Sequence, residues 1–231
     1  METIRLETDT RGVATLTLDR VEKHNAMSRQ MIDELHATAR QIDADEQVRV
    51  VVLTGEGPSF CAGGDLGWMQ AQMDADAETR GREARALAEM LGALNRLSKP
   101  LIGRIQGQAF GGGVGLACVC DVAIGVRDAK FGLTETRLGL IPATIGPYVV
   151  ARLGEAMARR VFMSARIFEA EEAVRLGLLS RAVEAHDLEA AIEAEVRPYL
   201  SAAPGAVASA KALALELGGT VTDAQIDATI A

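Results

Sequence analysis

Cysteine is scarce in this sequence: Cys61, Cys118 and Cys120 are the only three. An odd count, with two of the three separated by a single residue, gives no disulfide framework and points to a reducing, cytoplasmic compartment. Blocks of basic residues are also missing. Lysine and arginine number 24 against 32 acids, the net charge is −8, and the cations are scattered. That pattern argues against a nucleic-acid surface or an anionic-membrane surface. It leaves room for an anionic ligand held by a few local cations. No apolar run reaches bilayer length; the longest lies between Phe110 and Cys120 and is weakened by glycine. The start of the chain, METIRLETD, carries acids early and has no apolar h-region, so no signal peptide is expected. His24, His36 and His186 share no ligand spacing, and there is no low-complexity segment or repeat.

What is present reads as alternating strands and helices. The length of 231 residues suits one large domain, or one domain with an appendage, and the 48% hydrophobic content allows a sizeable core. Ile4, Leu6 and Thr8, then the stretch from Val13 to Asp19, predict two strands in a hairpin around Arg11-Gly12. Ser28 opens a helical period through Met31, Ile32, Leu35 and Ile42. RVVVLT, residues 49–54, is a buried-strand signal. A long amphipathic helix is predicted from about Arg80 to Leu97, ended by Ser98-Lys99-Pro100. Further strands are predicted over 101–106 and 122–126, and the chain from Glu155 onward is mainly helical. Such alternation indicates an α/β fold with helices packed on sheets.

Two glycine-rich stretches stand out. Residues 106–121 read QGQAFGGGVGLACVCD, with Gly111, Gly112 and Gly113 between a strand and an apolar helical start. The first amides of a helix lack internal partners and carry partial positive charge, so bare backbone there can receive a negative oxygen. Close packing of backbone on backbone, with no ligand, explains the triplet equally well. Residues 54–66, TGEGPSFCAGGDL, repeat the arrangement: a strand, a turn, then Ala62-Gly63-Gly64-Asp65 before a helix that Asp65 would cap. Two such entrances could aim N–H groups at one oxygen, the geometry of an oxyanion hole.

EKHNAM (22–27), SFCAGGDL (59–66), QAFGGGVGLACVCDVAI (108–124) and FGLTETRLGLIP (131–142) together resemble the crotonase, or enoyl-CoA hydratase/isomerase, superfamily over about residues 3–217. The resemblance implies a spiral of ββα units spanning residues 1–200. A helical C-terminal region over 201–231 would contribute to a homotrimer or a dimer of trimers. It implies an acyl-CoA thioester as substrate, with coenzyme A part of that substrate, no separate cofactor and no metal. The amides of Ala62 and Gly112 match the two oxyanion donors. Lys23 and Ala26 lie in the segment that runs past the CoA adenine and phosphates. Ala62, Gly63, Gly64, Asp65 and Leu66 line the thioester arm with Gly112. Glu135 matches one of two catalytic glutamates that hydratases of the family often carry. The other position is Gly115, so a two-carboxylate scheme cannot be copied here.

One carboxylate can still serve. The resemblance therefore implies an enoyl-CoA hydratase in which Glu135 takes a proton from water and returns it to the α-carbon on the same face. GGGVGL together with FGLTETRLGLIPATIGPYVV resembles the subset that includes bacterial methylglutaconyl-CoA and isohexenylglutaconyl-CoA hydratases, which favours a branched or carboxylated enoyl group. An enoyl-CoA isomerase using Glu135 alone is the nearest alternative, and a non-catalytic acyl-CoA-binding or RNA-binding scaffold is a further one.

Other polar and sulfur residues carry plainer expectations. Asp121 caps or makes a buried hydrogen bond, Cys118 and Cys120 fill the core, and Glu171 and Glu172 are solvated. Arg127 or Arg137 could meet a distal substrate carboxylate. Thr222 with Gln225 predicts a capping box opening a last helix, with Ile226 and Ile230 on one face. Because the sequence stops within that helix, the C-terminal region is expected to be incomplete.

Overall fold

The computed structural model describes residues 1–219 and 222–230. Strands β1 (Ile4–Thr8) and β2 (Val13–Leu18) form the antiparallel hairpin expected around Arg11-Gly12. Helix α1 (Arg29–Ala44) is capped by Ser28, whose Oγ accepts from Met31 N, and it buries Met31, Ile32, Leu35 and Ile42. The pattern then becomes strand, strand, helix. Strands β3 (Val50–Gly55) and β4 (Ser59–Cys61) lead to α2 (Leu66–Asp74) and α3 (Ala77–Asn95). Strands β5 (Leu101–Ile105) and β6 (Gln108–Phe110) lead to α4 (Gly112–Cys118). Strands β7 (Val122–Val126) and β8 (Lys130–Gly132) lead to a 3-10 turn at Glu135–Leu138, then α5 (Gly146–Leu153) and α6 (Glu155–Phe162).

These pairs build two sheets. The first strand of each pair joins a six-stranded sheet ordered β1-β2-β3-β5-β7-β10, and the second joins a four-stranded sheet ordered β4-β6-β8-β9. The two late strands, β9 (Ile167–Glu169) and β10 (Arg181–Val183), flank α7 (Ala170–Arg175). Sequence patterning missed both, since three residues are too few to show alternation. Every residue of β3 is buried, as the β-branched run required. Phe131 of β8 stacks on Phe168 of β9 with ring centroids 5.9 Å apart. The arrangement is the α/β spiral of ββα units, with helices α8 (Leu188–Ser201), α9 (Pro204–Gly218) and α10 (Asp223–Ile230) closing the C-terminal region.

Several local expectations resolve here. Helix α3 starts earlier than its apolar period, because Asp76 Oδ1 accepts from Thr79 N at 2.7 Å and caps it. Asp121 Oδ2 accepts from Leu101 N at 2.7 Å and from Lys211 Nζ at 2.8 Å, tying α9 to the sheet. The capping box forms: Gln225 N donates to Thr222 Oγ1 and Thr222 N to Gln225 Oε1. Ile226 of that helix is buried, while the Ile230 side chain lies outside the described residues. Glu172 is not freely solvated. Arg160 and Arg166 grip it at 2.9 and 2.6 Å, which holds its carboxyl below the ordinary range.

One contact joins the second and third units. A Cβ added to Gly113, in the first turn of α4, would lie 2.3 Å from the carbonyl oxygen of Cys61, at the end of β4. The obstacle is backbone, so no side chain can swing aside. Gly113→Ala is expected to destabilise the protein by about 2 kcal/mol or more, lowering Tm by roughly 5 °C. An unchanged melting curve would show that the two segments do not approach this closely.

Candidate active site

Strands β4, β6 and β8 run parallel as neighbours, with Cys61 opposite Ala109 and Phe110 opposite Gly132. Their C-terminal ends therefore open on one side, and in open α/β sheets ligands bind beyond such ends. The three exits are the Ala62–Asp65 turn, the Gly111–Gly113 turn and the 3-10 turn that begins at Glu135.

The first exit is pinned by the segment before α1. Met27 and Gly64 form a parallel bridge, with Met27 N donating to Gly63 O at 2.7 Å and Asp65 N to Met27 O at 2.9 Å. In a parallel bridge the flanking residues carry the bonds. The N–H of Gly64 therefore faces away from Met27, and no acceptor takes it among the described residues. Ala62 differs from expectation here. Its N–H donates to His24 O at 2.9 Å and is committed to holding the turn. The uncommitted amide of this segment is Gly64's, two residues further on.

The second exit meets the first at backbone contact. Gly63 has a φ of +99°, a conformation that favours glycine, and a Cβ there would lie 2.9 Å from Phe110 O and 3.7 Å from Gly112 N. The Gly112 N–H opens α4 and has no acceptor among the described residues. The third exit brings the carboxylate. A Cβ on Gly111 would lie 3.2 Å from Glu135 Oε1 and 3.9 Å from Gly63 Cα. Gly63, Gly111, Gly112 and Glu135 thus converge, with Gly64 adjoining.

Glu135 is half-buried, and its Oε2 is buried with no hydrogen-bond partner. Burial pushes its pKa above the ordinary 4.5, opposed only by its own backbone amide. Asp65 behaves in the opposite way. Its burial alone would raise the pKa, but the Trp68 amide, Arg20 and the Gly67 amide outweigh it and hold the carboxyl below the usual range. Asp65 Oδ1 caps α2 through Gly67 N and Trp68 N, and Oδ2 meets Arg20 Nη2 at 3.1 Å. It fixes the turn.

The remaining candidates spread outward. Lys23 is exposed, in a 3-10 turn. Ala26 is 8% exposed and its carbonyl accepts from Arg20 Nη1. Leu66 is 82% exposed at the mouth of α2. The His24 ring Nδ1 hydrogen-bonds to Ser59 Oγ at 2.9 Å. Trp68 and Met69 pack against Gly64. A Cβ there would lie 3.1 Å from Met69 Sδ and 3.6 Å from the Trp68 ring. Arg127 is committed to Glu171 and Glu184. Cys61 is fully buried and its thiol is pushed up to about 12, which removes it from thiolate chemistry at neutral pH. A cleft of about 910 Å³ adjoins the Glu135 turn at Thr136, lined by Ile141, Val150, Phe162 and Met163 and walled by α10 residues Gln225 and Thr229. No helix among the described residues is long and apolar enough to cross a membrane.

Known proteins resemble this chain over most of its length. Residues 8–227 match the family profile described as enoyl-CoA hydratase/isomerase. An enoyl-CoA hydratase of Alternaria alternata is 36% identical over 203 residues, covering 87% of this chain. The chain spans just under two thirds, 66%, of that protein's length. The mitochondrial methylglutaconyl-CoA hydratase of Mus musculus is 32% identical over 181 residues, 78% of this chain and 57% of that protein. Among solved structures, AtuE of Pseudomonas aeruginosa superposes with a TM-score of 0.91 at 40% identity, covering 98% of this chain and 88% of that one.

The state of Glu135 has a consequence for stability. A carboxyl whose pKa is raised on folding binds its proton more tightly in the folded state. Stability therefore falls as pH rises from the unfolded value through the folded one. At neutral pH the buried, unpartnered carboxylate opposes folding. Glu135→Gln is expected to raise Tm at pH 7–8. The gain should shrink toward pH 4. A variant less stable than the parent at neutral pH would contradict the reading.

Proposed function

The chain belongs to the enoyl-CoA hydratase/isomerase family, and from that premise we propose that it is an enoyl-CoA hydratase. The N–H groups of Gly64 and Gly112, rather than Ala62 and Gly112, hold the thioester carbonyl oxygen. Glu135 is the acid/base. As water attacks the β-carbon, Glu135 takes a proton from it, and the electrons of the double bond move onto the carbonyl oxygen as an enolate. The enolate collapses as Glu135 returns the proton to the α-carbon on the same face. The observation that carries this reading is the buried, unpartnered carboxylate oxygen of Glu135 beside two uncommitted amides. A general base needs a raised pKa and an open hydrogen-bonding position, and an oxyanion hole needs donors with no other acceptor.

The substrate is an acyl-CoA thioester, with coenzyme A carried by the substrate and no other cofactor. Exposed Lys23 suits the phosphates, and exposed Leu66, beside Gly63, Gly64 and Asp65, suits the thioester arm. A branched or carboxylated enoyl group is favoured by the motifs around Gly115 and Pro142. We also place the enzyme in the cytoplasm as a homotrimer or dimer of trimers, its spiral core in residues 1–200 and subunit contacts over 201–231. Exposed Leu213 and Leu217 on α9 support such contacts. A second reading is enoyl-CoA isomerisation, with Glu135 moving a proton between the α- and γ-carbons; the glycine at 115, which leaves a single carboxylate, favours it.

The test is incubation with a 2-enoyl-CoA. Loss of enoyl absorbance with formation of 3-hydroxyacyl-CoA is expected, and conversion of 3-enoyl-CoA with no water uptake would point to the isomerase. Glu135→Gln is expected to lower kcat by roughly 10²–10⁴. In the parent, kcat/KM should rise with pH through a value above 4.5. A glutamine variant that turns over at the parent rate would remove Glu135 from the chemistry.

A further inference from the structure

The backbone bridge between Met27 and Gly64 sets the direction of the Gly64 amide. Two segments run on from that bridge. One enters α1 at Arg29, just past Met27; the other enters α2, where Trp68 stands one turn past Gly64. Both reach the same side chain. Glu83 of α3 accepts from Arg29 Nη1 with Oε1, and from Trp68 Nε1 with Oε2 at 2.7 Å. The Glu83 side chain is 17% exposed, so these bonds form largely out of water. Arg29 is itself aimed by Asp33, both of whose carboxylate oxygens lie 3.0 Å from its Nε.

The α2 segment leans on that carboxylate. None of its residues is buried, and Leu66 and Met73 are well exposed. Helices draw most of their stability from packing, and a segment with few buried contacts opens easily. Asp65 caps the start but reaches no further than Trp68 N. Gln72, one turn beyond Trp68 on the same face, has a buried Oε1 with no partner. Trp68 packs on the core and against Gly64. Among the described residues, its indole N–H makes the one side-chain hydrogen bond from α2 to another element.

We propose that Glu83 is a positioning residue for the reaction: its two oxygens clamp the chain on both sides of the Met27–Gly64 bridge, and through Trp68 it holds α2 against the turn that carries the Gly64 amide. The inference rests on the hydratase reading above, which makes that amide an oxyanion donor. Glu83 touches no reacting atom. Its contribution is order, because a donor already held in place acts without reorganisation when charge develops.

Trp68 is the only tryptophan in the chain, so its emission reports the seating of α2. In Glu83→Ala the emission is expected to move to the red as the indole meets water. The same variant should lose roughly tenfold in kcat/KM for 2-butenoyl-CoA, short of the roughly hundredfold that a misplacement of about 1 Å can cost. Trp68→Phe keeps a ring and loses the donor; it should fall by a similar factor, and the double variant Trp68→Phe/Glu83→Ala should fall no further, as for two residues acting through one contact. Glu83→Gln keeps an oxygen for the indole but not the charge facing Arg29, so it should retain the parent emission and recover most of the lost rate. Glutamine as slow as alanine would assign the effect to the Arg29 ion pair and overturn the inference. So would a folded Glu83→Ala protein with the emission and rate of the parent. Should the alanine variant fail to fold, Trp68→Phe against Glu83→Gln makes the same comparison, and a phenylalanine variant at the parent rate overturns the inference. Each of these results leaves the hydratase reading standing. A parent that hydrates no 2-enoyl-CoA sinks that reading and the inference with it.

Discussion

The contact on which this structure depends is the approach of one strand exit to the next: the backbone at Cys61 lies so near Gly113 that no Cβ fits between them. Parallel pairing of β4 with β6 sets the distance, and glycine at 63, 112 and 113 permits it. Met27 supports the arrangement from outside, its backbone bonded on either side of Gly64 and its Cε 2.1 Å from where a Cβ on Gly112 would lie. With the two turns locked together, the Gly64 and Gly112 amides are fixed by main chain. Fixed dipoles need no reorganisation when charge develops on a bound oxygen.

Two buried side-chain oxygens among the described residues have no hydrogen-bond partner, Glu135 Oε2 at the site and Gln72 Oε1 on α2. Elsewhere the chain pairs its partly buried charges: Asp65 with Arg20, Asp121 with Lys211, Glu172 with two arginines. Buried polar atoms in folded proteins are nearly always hydrogen-bonded, so each exception calls for an explanation. Here Glu135 Oε2 lacks a partner, and the two glycine amides lack acceptors among the described residues. These open positions lie together at the ends of adjacent strands. Local disregard of a folding rule at one convergent point is what a binding or catalytic centre produces.

Much of this was legible in the sequence because it follows from short-range chemistry. RVVVLT signalled a buried strand, Asp65 before an apolar start signalled a cap, and Thr222 with Gln225 formed the box their spacing predicted. The glycine turns were visible as helix entrances, and Glu135 through its motif. What was not legible depended on tertiary pairing. Ala62 and Gly64 look equivalent in CAGGD, and only the pairing with His24 and Met27 shows which amide is already bonded. The strands at 167–169 and 181–183 exist because β8 and β7 offer them edges, not because of their own pattern. The glycine at 115 was visible as a departure, but its neighbour Ile145 is thirty residues away and no periodicity links them.

The central claim is that main-chain amides of Gly64 and Gly112 polarise a thioester carbonyl placed between them. Infrared difference spectroscopy of a non-reactive acyl-CoA, labelled with ¹³C at the thioester carbonyl and bound to the protein, reads this directly. Two donors converging on the oxygen shift the C=O stretch to lower frequency than in water. A bound carbonyl that vibrates as in water or higher would mean that the amides point elsewhere, and the proposed chemistry would lose its foundation.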